Sequence, residues 1–293
     1  MSERSGSGCS RTPGPTVSSD SLVVHPRSAA WIDLLRAATD AAPTWLVYKN
    51  VESALTGTGD IDAVASSQDF PAIKPVVLSW AERFQLWPVF VCNHFPAGPN
   101  FVAVPPGELA LWEFSVKERK VFRGGPLLSA AELLPMAQAD DRGFRRLRPG
   151  AEGVLKLLTN GTRWAGRRNA EGLAAKEIRQ LLARDPEGVA QAAGMYGSAE
   201  LAVRGLASAV VAGQWNAGAA LFVEGRQLLV AASRPRQTVR RAWYRSVGER
   251  RCPLIEVIHH HGRRIPPDRE RWLHQVSDTH IIHRDAMTRN GVT

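Results

Sequence analysis

The stretch Leu55-Thr56-Gly57-Thr58-Gly59-Asp60-Ile61-Asp62-Ala63-Val64 decides the fold. It follows a short apolar run at 45–48 and places two glycines before an Asp-Ile-Asp step. Because side chains alternate along a strand, a strand over 60–65 directs both aspartates to one face and Ile61 to the other. Two carboxylates a few Å apart repel each other unless one is protonated or a cation lies between them. Mg²⁺, which commonly carries nucleotide phosphates, is the usual cation in such a position.

This pattern resembles the nucleotidyltransferase superfamily that includes DNA polymerase β, whose hallmark is a Gly-Ser or Gly-Gly turn before Asp-x-Asp. It is similar to the compact variant in which the turn directly abuts the first aspartate, with Gly57-Thr58-Gly59 in place of Gly-Ser. The resemblance covers roughly residues 28–200. It implies an α+β fold with an α/β core: a small mixed sheet with flanking helices of nucleotidyltransferase type, followed by a helical region.

The resemblance also implies Mg²⁺-dependent transfer of a nucleoside monophosphate from an NTP to an acceptor, with Asp60 and Asp62 as metal ligands and one or two metal ions bound. Members of the superfamily usually place a third acid on a neighbouring strand, and the matching position here holds Ser115. Glu113 lies two residues earlier, so it shares the face of Ser115 and is the candidate substitute ligand. The alternatives for Glu113 are an exposed strand residue and a partner for Lys117.

Five further positions are candidates for holding the nucleotide phosphates. The glycine turn, Gly57-Thr58-Gly59, would let backbone N–H groups approach a triphosphate, although an ordinary tight turn explains the glycines equally well. Lys49 ends the first strand and could reach a phosphate; an exposed strand-end lysine is the alternative. Lys156 lies between apolar positions and would face the cleft from the helical region, unless its stem covers the edge of the core.

The composition limits the class of protein. The 293 residues are 44% hydrophobic, which is enough for a substantial core. No run of about 18 apolar residues occurs, so we expect no transmembrane segment. The three cysteines lack Cys-x-x-Cys spacing, and the N-terminus lacks the features of a secretory signal, which favours a reduced, cytoplasmic protein. The net charge of +9 suits a polyanionic partner, but an arginine-rich surface that is simply solvated accounts for it as well.

Helical and strand patterns divide the chain into four segments. Residues 1–27 are rich in Ser, Gly, Pro and Thr and are expected to be a disordered tail. Residues 28–145 form the expected α/β core, with helices over 28–41 and 71–86, strands over 44–48, 88–95, 100–104, 109–116 and 119–123, and a last helix over 129–138. Residues 146–233 form the helical domain, and 234–293 a basic helix and C-terminal extension, with one late strand over 252–261 and fraying after 282.

The C-terminal extension carries two features that the nucleotide site does not explain. Arg234–Arg251 contains seven arginines and one acid, Glu249, and an apolar stripe that includes Trp243. It would contact an anionic surface, either a membrane or a nucleic acid, or would be a solvated basic helix packed on its Trp243 side. His259-His260-His261, with Cys252 and later histidines, lacks any recognised zinc-ligand spacing, so solvent-exposed histidines are the simpler interpretation.

Two functions of different class therefore compete. The first is a Mg²⁺-dependent nucleotidyltransferase whose acceptor, whether a small molecule, a sugar phosphate, a protein or an RNA, the sequence does not specify. The second is a nucleotide-binding or regulatory protein on the same fold whose catalysis has decayed, and its main support is Ser115. The orientation of Glu113 separates them, since only convergence on Asp60 and Asp62 would complete a three-carboxylate site.

Overall fold

The fold is derived from a computed structural model that describes residues 26–57, 59–95, 98–105, 111–122, 125–161, 173–233, 235–243, 254–259 and 280–285. Within these ranges it combines a mixed β-sheet with helices on both of its faces and a mainly helical region after residue 149. The expected combination of a mixed sheet, flanking helices and a following helical region is thus confirmed. No helix in the described part of the chain has both the length and the apolar content that a membrane crossing requires.

Two helices cover one face of the sheet. Helix α1 spans Pro26–Ala41, two residues longer at its start than predicted because proline is well tolerated in a first turn. Helix α3 spans Phe70–Arg83 and ends before the predicted residue 86, since Gln85 adopts a left-handed conformation with φ 58°. Their apolar faces meet through Trp31 and Trp80, whose rings stack with centroids 5.2 Å apart. This tryptophan pair fixes the two helices against the sheet.

The first two strands lie on either side of the glycine turn in the sequence. Strand β1 spans Leu46–Lys49 and strand β2 spans Ile61–Val64, and they pair antiparallel. Between them, the predicted connection contains a five-residue helix, α2, over Val51–Leu55. The register shifts between Val47 and Lys49, which forms a bulge and sets Lys49 opposite Asp62.

The remaining strands extend this pair into one sheet. They are β3 (Val89–Phe95), β4 (Gly98–Ala103), β5 (Trp112–Lys117), β8 (Ala137–Ala139), β9 (Arg145–Leu147), β10 (Leu254–His259) and β11 (His280–Asp285). Their order in the sheet is β11-β10-β3-β4-β5-β2-β1-β9-β8. Strands β2 and β5 run parallel, as do β1 and β9, whereas β3 and β4 form the predicted antiparallel hairpin. Strand β2 therefore lies inside the sheet, between β1 and β5.

Three predictions about strand and helix limits are wrong. The strand expected over 119–123 is not the last before the helix, because β6 (Arg119–Phe122) pairs with a further strand, β7 (Gly125–Ser129). The helix expected over 129–138 is limited to α4 (Ala130–Leu133) and one 3₁₀ turn containing Pro135, and the chain then enters β8. Residues 280–285 are not frayed, since β11 pairs with β10 over six residues.

The helical region packs on the opposite face of the sheet from α1 and α3. Its helices are α5 (Pro149–Lys156), α6 (Leu173–Arg184), α7 (Pro186–Gly194), α8 (Glu200–Val211), α9 (Ala217–Ser233) and α10 (Pro235–Trp243), with a π-helical turn at Leu157–Gly161. Their buried side chains form one cluster with Leu46, Tyr48 and Val64 of β1 and β2. The face of β2 that carries Asp62 therefore looks toward the helical region.

Candidate functional site

The two aspartates of the Asp-Ile-Asp step lie next to each other at the start of β2. Asp62 is 2% exposed, and Asp60, immediately before the strand, is partly exposed. One side-chain amide bridges them: Nδ2 of Asn50 donates to Oδ1 of Asp60 at 3.4 Å and to Oδ2 of Asp62 at 3.5 Å. A single NH₂ group can reach both carboxylates only if they converge, so the structure brings the pair together.

Two lysines hold the charge of Asp62. Nζ of Lys49 lies 2.6 Å from Oδ2, and Nζ of Lys117 lies 3.2 Å from Oδ1. Lys49 reaches Asp62 because of the bulge in β1, and Lys117 because it shares the face of Ser115 on β5. Both lysine side chains remain about one-fifth exposed, at 19% and 21%. Each lysine therefore pairs with the buried Asp62 carboxylate and is also partly accessible to solvent.

Two hydroxyl groups complete the surroundings of Asp62. Ser115 lies directly opposite Asp62 in the parallel β2–β5 register, and its Oγ donates to Oδ1 at 2.7 Å. Burial, followed by the charge of Asp62 and a hydrogen bond to it, raises the pKa of the Tyr48 hydroxyl well above its ordinary value. Tyr48 therefore stays protonated at neutral pH and donates to the carboxylate. We call Asp62, Lys49, Lys117, Ser115 and Tyr48 the Asp62 cluster.

Glu113 is not brought to the aspartate pair, which corrects its predicted role as third metal ligand. Its Oε1 accepts a hydrogen bond of 2.7 Å from Nδ2 of Asn100, on β4. Strand β4 lies on the far side of β5 from β2, so this contact draws the glutamate away from the aspartates. Across the described residues, no three His, Cys, Asp or Glu side chains are grouped so that they could hold a metal ion. Lys117, for its part, pairs with Asp62.

The glycine turn contacts protein groups in the structure. Gly57 has a left-handed φ of 92°, and the carbonyl of Gly59 accepts from the guanidinium of Arg27 at 3.5 Å. A Cβ at Gly59 would lie 2.7 Å from Oγ and 3.2 Å from Cβ of Ser53, so close packing favours glycine there. Thr58 lies outside the described residues. These contacts favour the tight-turn interpretation, and the backbone turn beside the carboxylates is instead at Asn50, whose φ is 68°.

Lys156 is part of a buried ionic network, which corrects its predicted role at the phosphates. Its ammonium lies 3.1 Å from Oε1 of Glu152 and 2.5 Å from Oε1 of Glu177, and its side chain is 4% exposed. It is therefore committed to two carboxylates of the helical region. Neither of the earlier alternatives foresaw an ion pair at this position.

The same network extends from Glu152 to the sheet. The guanidinium of Arg146 donates to Glu152 at 3.0 Å, to Glu52 at 2.8 Å and to Asp140 at 3.2 Å. Burial lowers the pKa of Arg146, but the three carboxylates outweigh it and raise that pKa above its ordinary value. We call Arg146, Glu152, Lys156, Glu52 and Asp140 the Arg146 cluster.

Asn50 joins the two clusters. Its backbone N–H donates to Oε1 of Glu152 at 3.2 Å, while its side chain donates to the two aspartates. The sequence analysis did not single out Asn50, Tyr48 or Arg146. The available signal for Asn50 was its position directly after a predicted strand, because asparagine tolerates the left-handed conformation that a sharp exit from a strand requires.

The two predicted C-terminal features are described only in part. Within the basic segment the structure describes helix α10, where Trp243 is 63% exposed, and residues 244–251 lie outside the described residues. His259 ends β10, whereas Cys252, His260, His261 and His274 lie outside the described residues.

Comparison of the chain with protein-family models, with curated proteins and with solved structures finds no match.

Proposed function

We propose that the protein is a Mg²⁺-dependent nucleotidyltransferase that moves a nucleoside monophosphate from an NTP to an acceptor. The observation that carries the proposal is the convergence of Asp60 and Asp62 on one amide of Asn50, beside two partly exposed lysines. Carboxylates recruit a metal ion and lysines recruit phosphates, so the pair of groups suits a metal–triphosphate complex.

The donor set fits Mg²⁺. This ion prefers oxygen ligands and is usually held by one or two carboxylates together with substrate phosphates, so Asp60 and Asp62 would suffice without Glu113. When bound, Mg²⁺ would neutralise charge on the triphosphate and polarise its phosphorus–oxygen bonds. The fit supports one protein-held metal position rather than a site with three carboxylates.

The chain's own residues perform the remaining work in this proposal. Lys49 and Lys117 neutralise Asp62 in the absence of a nucleotide, and their partial exposure lets the ammonium groups turn to phosphate oxygens when a triphosphate arrives. Ser115 and Tyr48 keep the Asp62 carboxylate in place during that exchange, because both donate to it from rigid strands. The side-chain amide of Asn50 donates to both aspartates and so keeps the Asp60 carboxylate next to that of Asp62.

A second candidate is a nucleotide-binding protein that does not turn its ligand over. Two observations favour it: Ser115 stands opposite Asp62 where the superfamily pattern expects an acid, and Glu113, whose orientation separates the two candidates, is engaged by Asn100 and not by the aspartates. In that case Lys49 and Lys117 would bind the phosphates and the aspartates would serve only to hold the lysines.

Pyrophosphate release separates the two candidates. The full chain is incubated with Mg²⁺, each NTP and acceptors of the four classes, and nucleotide binding is measured in parallel by equilibrium dialysis. If the protein transfers a nucleoside monophosphate, pyrophosphate release should fall at least about 100-fold in Asp60→Asn and Asp62→Asn but little in Glu113→Gln. Binding without release, in wild type and in Ser115→Asp, supports the second candidate. Release that survives both aspartate changes rejects the site.

A further inference from the structure

Helices α9 and α10 present an unusually apolar surface to solvent. On α9, Ala220 and Val223 are buried against the protein, yet large apolar side chains on its other sides are exposed. The exposed set on the two helices, here named the apolar ridge, is Leu221, Phe222, Leu228, Leu229, Val239 and Trp243. Single exposed leucines need no explanation, but six such residues on two consecutive helices mark an interaction surface.

The spacing of the ridge follows the helices. Leu221, Leu228 and Ala232 are separated by seven and four residues, which places them on one side of α9 and away from Val223. On α10, Val239 and Trp243 are four residues apart and therefore adjacent. Leu228 is 69% and Trp243 63% exposed. Each helix thus presents an apolar face that is largely exposed in the described part of the chain.

Helix α10 is basic in sequence, whereas α9 carries one acid, Glu224, and one arginine, Arg226. Helix α10 contains Arg236, Arg240 and Arg241 and no acidic residue, and Arg236 is exposed. The arginine-rich character continues along the sequence to Arg251, with Glu249 as the one acid between residues 234 and 251. A surface that is both apolar and basic matches a partner that has negatively charged groups at its surface and apolar groups beneath them.

We propose that the apolar ridge lies on the surface of an anionic lipid bilayer, with its leucines and Trp243 at the acyl boundary and the arginines of α10 at the headgroups. A nucleic acid would match the arginines but gives no reason for exposed leucines on α9. A second copy of the chain would bring two sets of these arginines together, which like charges oppose. The proposal is independent of the nucleotide site.

The test is flotation of the full chain with vesicles of phosphatidylcholine alone and of phosphatidylcholine mixed with phosphatidylglycerol. We expect binding to the mixed vesicles only, and a steep decrease as salt is raised, because screening weakens the arginine–headgroup attraction. Equal binding to neutral vesicles, or no binding to either, would overturn the proposal.

Matched variants locate the contact. The double change Leu228→Asp with Trp243→Asp should lower vesicle binding at least about tenfold, since both residues lose apolar burial and add negative charge. Leu201→Asp is the control, because Leu201 is 83% exposed but lies on α8, outside the ridge. A thermal scan by circular dichroism should show all variants folded. The proposal is rejected if the double variant binds vesicles as well as the wild type does. It is also rejected if the double variant keeps vesicle binding but changes the oligomeric state measured by light scattering, or keeps vesicle binding but no longer binds RNA.

Discussion

The Asp62 cluster and the Arg146 cluster are both ionic, both largely buried and joined by Asn50, but their charges are balanced differently. In the Arg146 cluster, Arg146 pairs with three carboxylates and Lys156 with Glu152 and Glu177, and Arg142 also pairs with Glu52 and Asp140, so every cation has more than one carboxylate partner. In the Asp62 cluster two ammonium groups share one carboxylate. The side chains of Arg146 and Lys156 are 11% and 4% exposed, whereas those of Lys49 and Lys117 are 19% and 21% exposed.

This difference assigns separate roles to the two clusters. The Arg146 cluster connects the sheet to α5 and α6, and Arg146, Glu152 and Lys156 are too enclosed to exchange partners, although Glu52 at its edge is exposed. The lysines of the Asp62 cluster are partly exposed and can exchange Asp62 for an anion from solution. A buried ionic group is therefore not by itself a sign of a functional site; the accessibility of its cations is what distinguishes the two clusters.

The largest expected effect is on the Arg146 cluster. Arg146→Met should lower the free energy of unfolding by about 3–5 kcal/mol, because it leaves Glu152 and Asp140 buried with fewer cations. Urea denaturation at neutral pH measures the loss. Arg83→Met is the matched control, since Arg83 pairs with Asp33 on the exposed surface and should cost no more than about 1 kcal/mol. Equal costs for the two changes would show that the Arg146 cluster is not the structural connection described above.

A smaller loss of stability is expected for the Asp62 cluster, together with a gain in anion binding. Asp62→Asn should cost about 1–2 kcal/mol, since Lys49 and Lys117 can turn toward water. It should also tighten binding of inorganic triphosphate in EDTA about tenfold, because the carboxylate that competes for the two lysines is lost. Isothermal titration calorimetry measures the binding. Glu113→Gln, which removes the same charge from a neighbouring strand, should leave it unchanged; a gain there equal to that of Asp62→Asn would reveal a general electrostatic effect.

Asp185, outside both clusters, provides a pH test. Burial alone would raise the pKa of Asp185, but the Arg148 guanidinium and the amides of Gly188 and Gly150 hold it below its ordinary value. A lowered pKa stabilises the fold above the unfolded value near 4, and this contribution is lost as pH falls through the folded pKa. Asp185→Asn should therefore cost about 1 kcal/mol or less at pH 7, because the ion pair with Arg148 is lost while asparagine still caps α7, and the cost should shrink near pH 3. Urea denaturation at both pH values measures this, and a cost that does not shrink in acid contradicts it.

The sequence predicts the parts of the site that depend on local periodicity. The alternation along β2 places Asp60 and Asp62 together, and the helical spacing of Trp31, Leu34 and Leu35 predicts α1. Ser115 was also placed correctly beside the aspartates, because parallel pairing of β5 with β2 sets it opposite Asp62.

The parts that failed depend on contacts between distant segments. The alternation of side chains along β5 predicts which face of the sheet carries Glu113, but not which residue of a neighbouring strand it contacts. In the structure the hydrogen bond from Asn100 on β4 sets the direction of the Glu113 side chain. Lys156 was placed on a cleft because Glu177, 21 residues away, was not recognised as its partner. Lys49 turns to Asp62 through a bulge that no residue type in β1 announces.

The most direct test of the two-carboxylate site is electron paramagnetic resonance of Mn²⁺, used in place of Mg²⁺, titrated into the full chain with a non-hydrolysable NTP analogue. The account predicts that Asp60→Asn and Asp62→Asn each weaken Mn²⁺–nucleotide binding at least about tenfold, while Glu113→Gln binds like wild type. Loss of binding in Glu113→Gln as large as in the aspartate variants, or full binding in both aspartate variants, would contradict it.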